Sequence, residues 1–336
     1  MQPKRAQEIL DAFDGKRVLV VGDVMLDEYV WGRVSRVSPE APVMVVEADH
    51  HTYAPGGAAN VVNNVCALGA RAAIAGLVGA DSAGATLSEK LAEEGANVDG
   101  LIQTDARPTT LKTRVIAHSQ QGSQQVVRVD HESRAPMDPV AQSRMLDFLN
   151  GAVPACDALL LSDYQKGLLS RPFVQAAVDL ARGHEKIITG NLKPRGLGSH
   201  CRLSVITMNV FEASEASGLA LGDGGENEAS LREAGRLMLE KTGADHVLIT
   251  RGAHGLTLFG ADGSVASLPA HPVEVFDGTG AGDTTITTLT LALAAGATPL
   301  EAITLANCAG AVVVRKLGVA TATREEILAT VAADEA

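Results

Sequence analysis

The chain has 336 residues, with 28 Lys plus Arg against 40 Asp plus Glu, and a formal net charge of −12. An acidic balance with no block of Lys or Arg lacks the electrostatic footprint of a nucleic-acid or anionic-membrane binder, although a small anionic ligand needs only local cations. No stretch reaches the ~18 apolar residues of a membrane span, and residues 1–17 are too charged for an export signal, so the cytoplasm is the expected location. The four cysteines include no Cys-x-x-Cys pair, which suggests neither a disulfide framework nor a zinc site. The adjacent His50 and His51 would point to opposite faces of a strand rather than chelate one ion.

In chain order, short β-branched runs alternate with Ala-rich helical stretches. Residues 18–21 read as a buried strand, 58–68 and 83–94 as helices on either side of a strand at 73–78, and 140–149 as the next helix. Strands at 158–161, 186–189 and 247–250 then alternate with helices at 173–182 and 228–241. This succession predicts an α/β fold, a mostly parallel sheet covered by helices on both faces. Two stretches break the alternation. Residues 28–47 and 109–129 are richer in Val, Thr and Arg with partial alternation, and are expected to form a small β lid outside the main sheet. The QQGSQQ segment at 120–125 reads as a polar turn with Gly122 and Ser123 at its tip, and the acidic run at 221–227 as a solvated loop before a helix. No solenoid repeat or long linker divides the chain, so a single domain spanning 1–336 with its lid is expected.

The densest chemical signal is FDGTGAGDT at 276–284, followed by a buried helical stretch at 285–294. Its glycines allow a tight turn, and the free amides of Thr279 to Gly282 at a helix start can form an anion hole for a phosphoryl group. This is no Walker A loop, because Asp283 rather than Lys follows Gly282. A carboxylate there suits a general base that takes the proton of an attacking hydroxyl. A dinucleotide fingerprint is disfavoured, because no acidic residue lies ~20 residues downstream. At PGGAAN, 55–60, Gly56 and Gly57 permit close backbone approach, and the Asn60 amide can both donate to and accept from a polyol. Asp23 or Asp27, in VVGDVMLD at the exit of the first strand, is placed to accept from sugar hydroxyls. Asn209 and Glu212 in NVFE, and Thr250 to Gly252 in TRG, occupy similar strand ends.

PGGAAN together with DGTGAGD resembles the two signatures of the ribokinase or PfkB carbohydrate kinase family, and the similarity covers nearly the whole chain. More narrowly, GDVMLDEYVWGRVSRVSPEAPV, LSDYQKG and VVRVD look like the heptose 7-phosphate kinase branch, in its form without a fused nucleotidyltransferase. The resemblance implies a ribokinase-like three-layer sandwich using ATP and Mg²⁺. It makes Asp283 the base and Gly280, Ala281 and Gly282 the anion hole, and assigns Asp27, Gly56, Gly57 and Asn60 to the sugar. Lys193, Asn209, Glu212, Thr250, Gly252, Gly255 and Asn307 fall to the nucleotide, with Asn209 and Glu212 reaching magnesium through water. Asp277 and the Thr279 carbonyl match a monovalent-cation site, such as one for K⁺. A phosphorylated sugar needs cations at its far end, and the lid offers Arg33, Arg36, Lys112, Arg114 and Arg128, joined by Lys166. Gly278 stands where Thr or Val is expected, and Asn191-Leu192-Lys193 replaces Asp-Pro-Lys. A homodimer through the lid is expected. The alternatives are a kinase for another sugar (ribose, fructose or a hexose phosphate) and a non-catalytic sugar-phosphate sensor.

Overall fold

Runs such as RVLVVG and ALLLS carry apolar residues on both strand faces, so they are stable only where helices cover both sides. The computed structural model describes residues 1–119, 122–194, 197 and 201–334. In chain order its strands are β1 (Arg17–Gly22), β2 (Val24–Val37), β3 (Met44–Gly57), β4 (Arg71–Gly79), β5 (Asn97–Thr104), β6 (Thr110–Ser119) and β7 (Gly122–His131). There follow β8 (Ala158–Ser162), β9 (Ile187–Asn191), β10 (Val205–Asn209), β11 (His246–Thr250), β12 (Leu256–Gly260) and β13 (Val265–Leu268). The helices are α1 (Pro3–Asp11), α2 (Ala58–Ala67), α3 (Ser82–Glu93), α4 (Pro139–Ala155), α5 (Arg171–Gly183), α6 (Val210–Ser217), α7 (Glu228–Thr242), α8 (Ala281–Ala294), α9 (Pro299–Val313) and α10 (Arg324–Ala333).

Nine strands form the main sheet in the order β13-β12-β11-β10-β9-β8-β1-β4-β5. The pairs from β5 to β11 are parallel, and β12 and β13 add an antiparallel edge. Alternate residues of one strand feed two cores. Val18 and Val20 of β1 pack with α1, α2, α8 and α9, while Leu19 and Val21 pack with α4, α5 and α7 on the other side. This is the expected three-layer α/β arrangement. Among the described residues no helix is long and apolar enough to cross a membrane.

The lid is a separate four-stranded sheet, β3-β2-β6-β7, with β2 and β6 parallel and the outer pairs antiparallel. Its first hairpin runs from Val24 to Gly57, longer at both ends than the expected 28–47. The reason is burial. Val24, Met25 and Leu26 are enclosed at the base of the lid, so the polar alternation that marks a one-sided strand begins only beyond them. Asp27, Gly56 and Gly57 are therefore lid residues, paired near the hairpin's base. His50 and His51 do face opposite ways: His50 stacks on Trp31, while His51 reaches Glu28. Of the polar turn at 120–125, Gln120 and Gln121 lie outside the described residues, and β7 starts at Gly122. The loop at 221–227 does precede a helix, α7, but it is tied down: Arg251 donates to the carbonyls of Gly224 (3.1 Å) and Gly225 (3.2 Å).

Candidate active site

The carboxyl ends of the parallel strands bring the chemical residues together. Gly22, Ser162 and Asn191 share one register row, as do Asn209 and Thr250. Over this rim lies the start of α8. Its cap, Gly280, has φ +83, a left-handed turn suited to glycine, and Asp283 sits in the first turn. Of the amides expected to form the anion hole, that of Thr279 is taken by Asp277 and that of Ala281 turns back to the Gly278 carbonyl at 3.3 Å, because the turn before α8 closes on itself; the Gly280 and Gly282 amides remain as donors to an anion.

Asp283 is 6% exposed and both its oxygens are hydrogen-bonded. Oδ1 accepts from the Tyr164 hydroxyl at 2.6 Å, and Oδ2 from Asn60 Nδ2 at 2.7 Å. Burial pushes this carboxyl above the usual carboxylate range, while the donors from Tyr164 and Asn60, and the charge of Lys193, partly offset it. Asn60 is steadied in turn. Asn64 Nδ2 donates to its carbonyl (2.8 Å) and side-chain oxygen (3.2 Å), and Thr284 donates to Asn64 Oδ1 at 2.7 Å. A polar seam between α2 and α8 thus fixes the angle at which the base is presented.

Asp283 opens on a cavity of about 190 Å³, whose lining includes Tyr164, Lys193, Asn209, Glu212, Thr250, Gly280 and Gly282. Lys193 Nζ pairs with Glu212 Oε1, donates to Asn191 Oδ1 at 3.2 Å, and lies 5.7 Å from the Tyr164 ring centre. Asn209 and Glu212 form a capping box at the start of α6: the Asn209 side chain accepts from the Glu212 amide, and Glu212 Oε2 from the Asn209 amide. Thr250 ends β11, and Gly252 and Gly255 bracket a short 3₁₀ turn with φ +55 and +84. Asn307, on α9, spends its amide on the Pro269 carbonyl at 2.9 Å, holding the segment after β13. Asp277 accepts from the amides of Thr279 (2.9 Å) and Gly318 (3.0 Å). Burial alone would raise its carboxyl, but these donors outweigh it and hold it below the usual range.

The cations divide into two groups. Near Asp27, Arg114 donates to Oδ1 at 2.5 Å and lies over the Tyr29 ring, while Lys112 occupies the register position beside Asp27 on β6. Buried Lys166 pairs with Glu132. Arg128 follows on β7, opposite Arg114, and is taken by Asp130 at 2.8 Å. Lys112 is half-buried and, among the described residues, has no hydrogen-bond or ion-pair partner. Burial holds its ammonium below the usual lysine range, with Lys166 and Arg128 adding to the effect against Asp27 and Asp130. Arg33 and Arg36 are not part of this group. They lie on the outer half of β2, exposed, facing Asp49 and Glu47. The Gly56 position explains itself: a side chain there would collide with Asp27.

Asp23 is a correction to the expectation of a sugar contact. It is buried, and its carboxylate collects the amides of Tyr164 (2.9 Å), Lys166 (2.9 Å) and Leu168 (3.4 Å). The strand exit thus anchors the LSDYQKG loop. Sequence reasoning also passed over Tyr164, Asn64 and Glu132. Tyr164 lay inside a quoted motif, but only Lys166 drew attention there, because charge is visible in a sequence and a phenol aimed at a distant carboxylate is not.

Residues 16–326 match the pfkB family carbohydrate kinase description. The chain is 42% identical over 317 residues to a protein named "Bifunctional protein HldE" from Desulfatibacillum aliphaticivorans, covering 94% of this chain and 63% of that protein. A second protein of that name, from Citrifermentans bemidjiense, is 40% identical over 333 residues, covering 98% of this chain and 66% of the relative. The chain thus spans just under two-thirds of the length of these relatives. Among solved structures it superposes on Escherichia coli phosphofructokinase-2 in complex with potassium at TM-score 0.77 and 16% identity, covering 96% of this chain and all of that one. Arabidopsis thaliana ribokinase complexed with ribose and ATP gives TM-score 0.71 at 18% identity over 94% of this chain and 98% of that one. These two similarities establish the ribokinase-like fold, and the family match covering most of the chain shows that it belongs to the PfkB family of carbohydrate kinases.

Proposed function

We propose that this chain transfers the γ-phosphoryl group of ATP to the anomeric hydroxyl of D-glycero-β-D-manno-heptose 7-phosphate, giving the 1,7-bisphosphate and ADP. The observation that carries phosphoryl transfer is the placement of Asp283: a buried carboxylate beside the Gly280 and Gly282 amides of a helix start, at the mouth of a polar cavity. Each carboxylate oxygen accepts one hydrogen bond from the protein and keeps a further lone pair for a substrate hydroxyl. As the hydroxyl oxygen attacks the γ-phosphorus, its proton passes to Asp283, the bond to ADP breaks, and the Gly280 and Gly282 amides face the charge on the phosphoryl oxygens.

The heptose phosphate follows from the sequence resemblance and from the cations around Asp27. Asp27, Asn60 and the Gly56–Gly57 backbone would hold hydroxyls, and Lys112 is the half-buried cation free to meet the distal phosphate. Arg114 and Lys166 are already neutralised by Asp27 and Glu132, and that arrangement favours a second reading, a kinase for a neutral sugar. Magnesium fits the donor set on the other side of the cavity. With Lys193 and the Asn209 amide on its two oxygens, Glu212 suits a hydrated ion held through water, the mode Mg²⁺ prefers. Such an ion would neutralise charge on the ATP phosphates. Each Asp277 oxygen accepts one amide and keeps a lone pair, so a potassium ion in that segment would draw on Asp277 together with backbone carbonyls such as that of Thr279. Use of ATP places this activity in the cytoplasm. The second activity implied by the relatives' name is not proposed for this chain.

The test is ADP release with magnesium ATP across heptose 7-phosphate, fructose 6-phosphate, ribose and fructose. Preference for the heptose phosphate supports the reading. Turnover on a neutral sugar alone would replace it with the second reading, and binding without turnover on every sugar would point to a sensor.

A further inference from the structure

The loop that follows β8 is held more firmly than a surface connection requires. Gln165 has φ +57, a left-handed conformation that costs a non-glycine residue free energy. Gly167, at φ +90, lies so close to the Ala135 carbonyl that no side chain fits. Two buried carboxylates hold this backbone from inside. Asp23 takes three of its amides, as described above. Asp163 takes the Gln165 amide at 2.7 Å on one oxygen and the Lys193 amide at 3.1 Å on the other. Strained backbone persists only where its surroundings over-determine it, and these restraints fix the backbone on both sides of Tyr164, whose own amide is one of those held by Asp23.

That side chain is Tyr164. Its ring lies beneath the Lys193 ammonium, and its hydroxyl donates to Asp283 Oδ1 at 2.6 Å. We propose that Tyr164 is a positioning residue for Asp283, its hydroxyl holding the carboxylate in its ionised form and in the orientation that receives a proton from the sugar. This rests on the reading of Asp283 as the base. Burial and the Asp283 charge push the phenol well above the usual tyrosine range, so Tyr164 keeps its proton throughout and acts only as a donor. The charged groups facing Asp283 are Lys193, which favours the carboxylate, and Asp27, which opposes it; Glu212 faces the phenol from α6. Among the groups favouring the carboxylate, the Tyr164 hydrogen bond is the largest, so removing it leaves burial less opposed.

The experiment compares the protein with Tyr164→Phe, and uses infrared difference spectra against Asp283→Asn to isolate the Asp283 carboxylate band. In Tyr164→Phe the titration midpoint of that band moves to higher pH, and kcat falls about tenfold on the acid side of its profile, while KM for ATP and the thermal midpoint stay close to wild type. Replacing the three tyrosines by 3-fluorotyrosine, a stronger donor of nearly the same size, moves the midpoint to lower pH and serves if the Phe variant folds poorly. An unmoved midpoint in either protein overturns the proposal. Wild-type turnover in Asp283→Asn would instead overturn the base assignment, and the infrared midpoint would still report on the Tyr164 contact.

Discussion

Asp283 shows how burial and hydrogen bonding set one group's behaviour. Its raised carboxyl means that activity depending on the ionised form is lost, as pH falls, at a higher pH than a surface aspartate would give. Asp283→Asn keeps the shape and removes the base, so kcat is expected to drop by roughly 10²–10⁴-fold with ATP binding retained, checked by ADP release and nucleotide titration. Lys112 makes a second prediction at this scale. Having no partner to lose, Lys112→Ala is expected to raise KM for a sugar phosphate by about tenfold or more, in line with a charge-assisted hydrogen bond, and to leave KM for ribose unchanged. Arg36→Ala, far out on β2 and already facing Glu47, is expected to change neither. Steady-state kinetics on both acceptors separates these outcomes.

The elements that carry the site are stabilised by local devices whose energies can be tested. Helix α9 starts with a capping box between Thr298 and Glu301, and Arg5 of α1 reaches Glu301 Oε1 at 2.8 Å. The Arg5 hydrogen bond, with the Thr298 amide, holds the Glu301 carboxyl down to about 2. A carboxyl lowered on folding adds stability above its unfolded value, and that increment is lost as pH falls through the folded value. Glu301→Gln is therefore expected to cost about 1 kcal/mol at neutral pH, with the gap closing as pH approaches 2 in urea unfolding curves. Helix α8 is buried along most of its length, and its threonines return their hydroxyls to neighbouring groups: Thr287 to the Asp283 carbonyl, Thr290 to Ile286. Thr288 Oγ1 is the exception, buried without a partner among the described residues. Thr288→Val replaces that hydroxyl with a methyl of the same shape and is expected to be neutral or to stabilise by up to ~1 kcal/mol.

At the scale of the whole molecule, the lid and the main sheet are physically different surfaces. The lid face bearing Asp27, Tyr29 and Lys112 looks toward the site, while the alternate residues Val127, Val129 and Tyr53 leave large apolar side chains exposed on the other face. Sheets with exposed apolar faces and free edges tend to be covered by another chain. A dimer mass is therefore expected in light scattering at working concentration, with Val127→Lys together with Val129→Lys shifting it to the monomer; a monomer mass in the unmutated protein would remove the lid interface. A lid that closes over the cavity would also exclude water from the phosphoryl group.

The sequence by itself determined the α/β class, the lid, and the carboxylate-plus-glycine loop at 276–284, because each is written in local chemistry: apolar runs, β-branched alternation, and glycines before a helix. It also marked Asn60, whose motif opens a helix, while Lys193 was reached only through the family resemblance. Several elements went unread, among them β5 and α10, because mixed polar and apolar runs such as NVDGLIQT lack a clear period until neighbours decide which face is buried. Only the tertiary structure decided which of the lid cations gather near Asp27, that Asp23 anchors a loop rather than a ligand, and that Tyr164 rests on Asp283. Those outcomes depend on contacts across separations such as the 119 residues between Tyr164 and Asp283. Such contacts are set by packing of the sheet against α2 and α8, and local sequence carries no record of that distance.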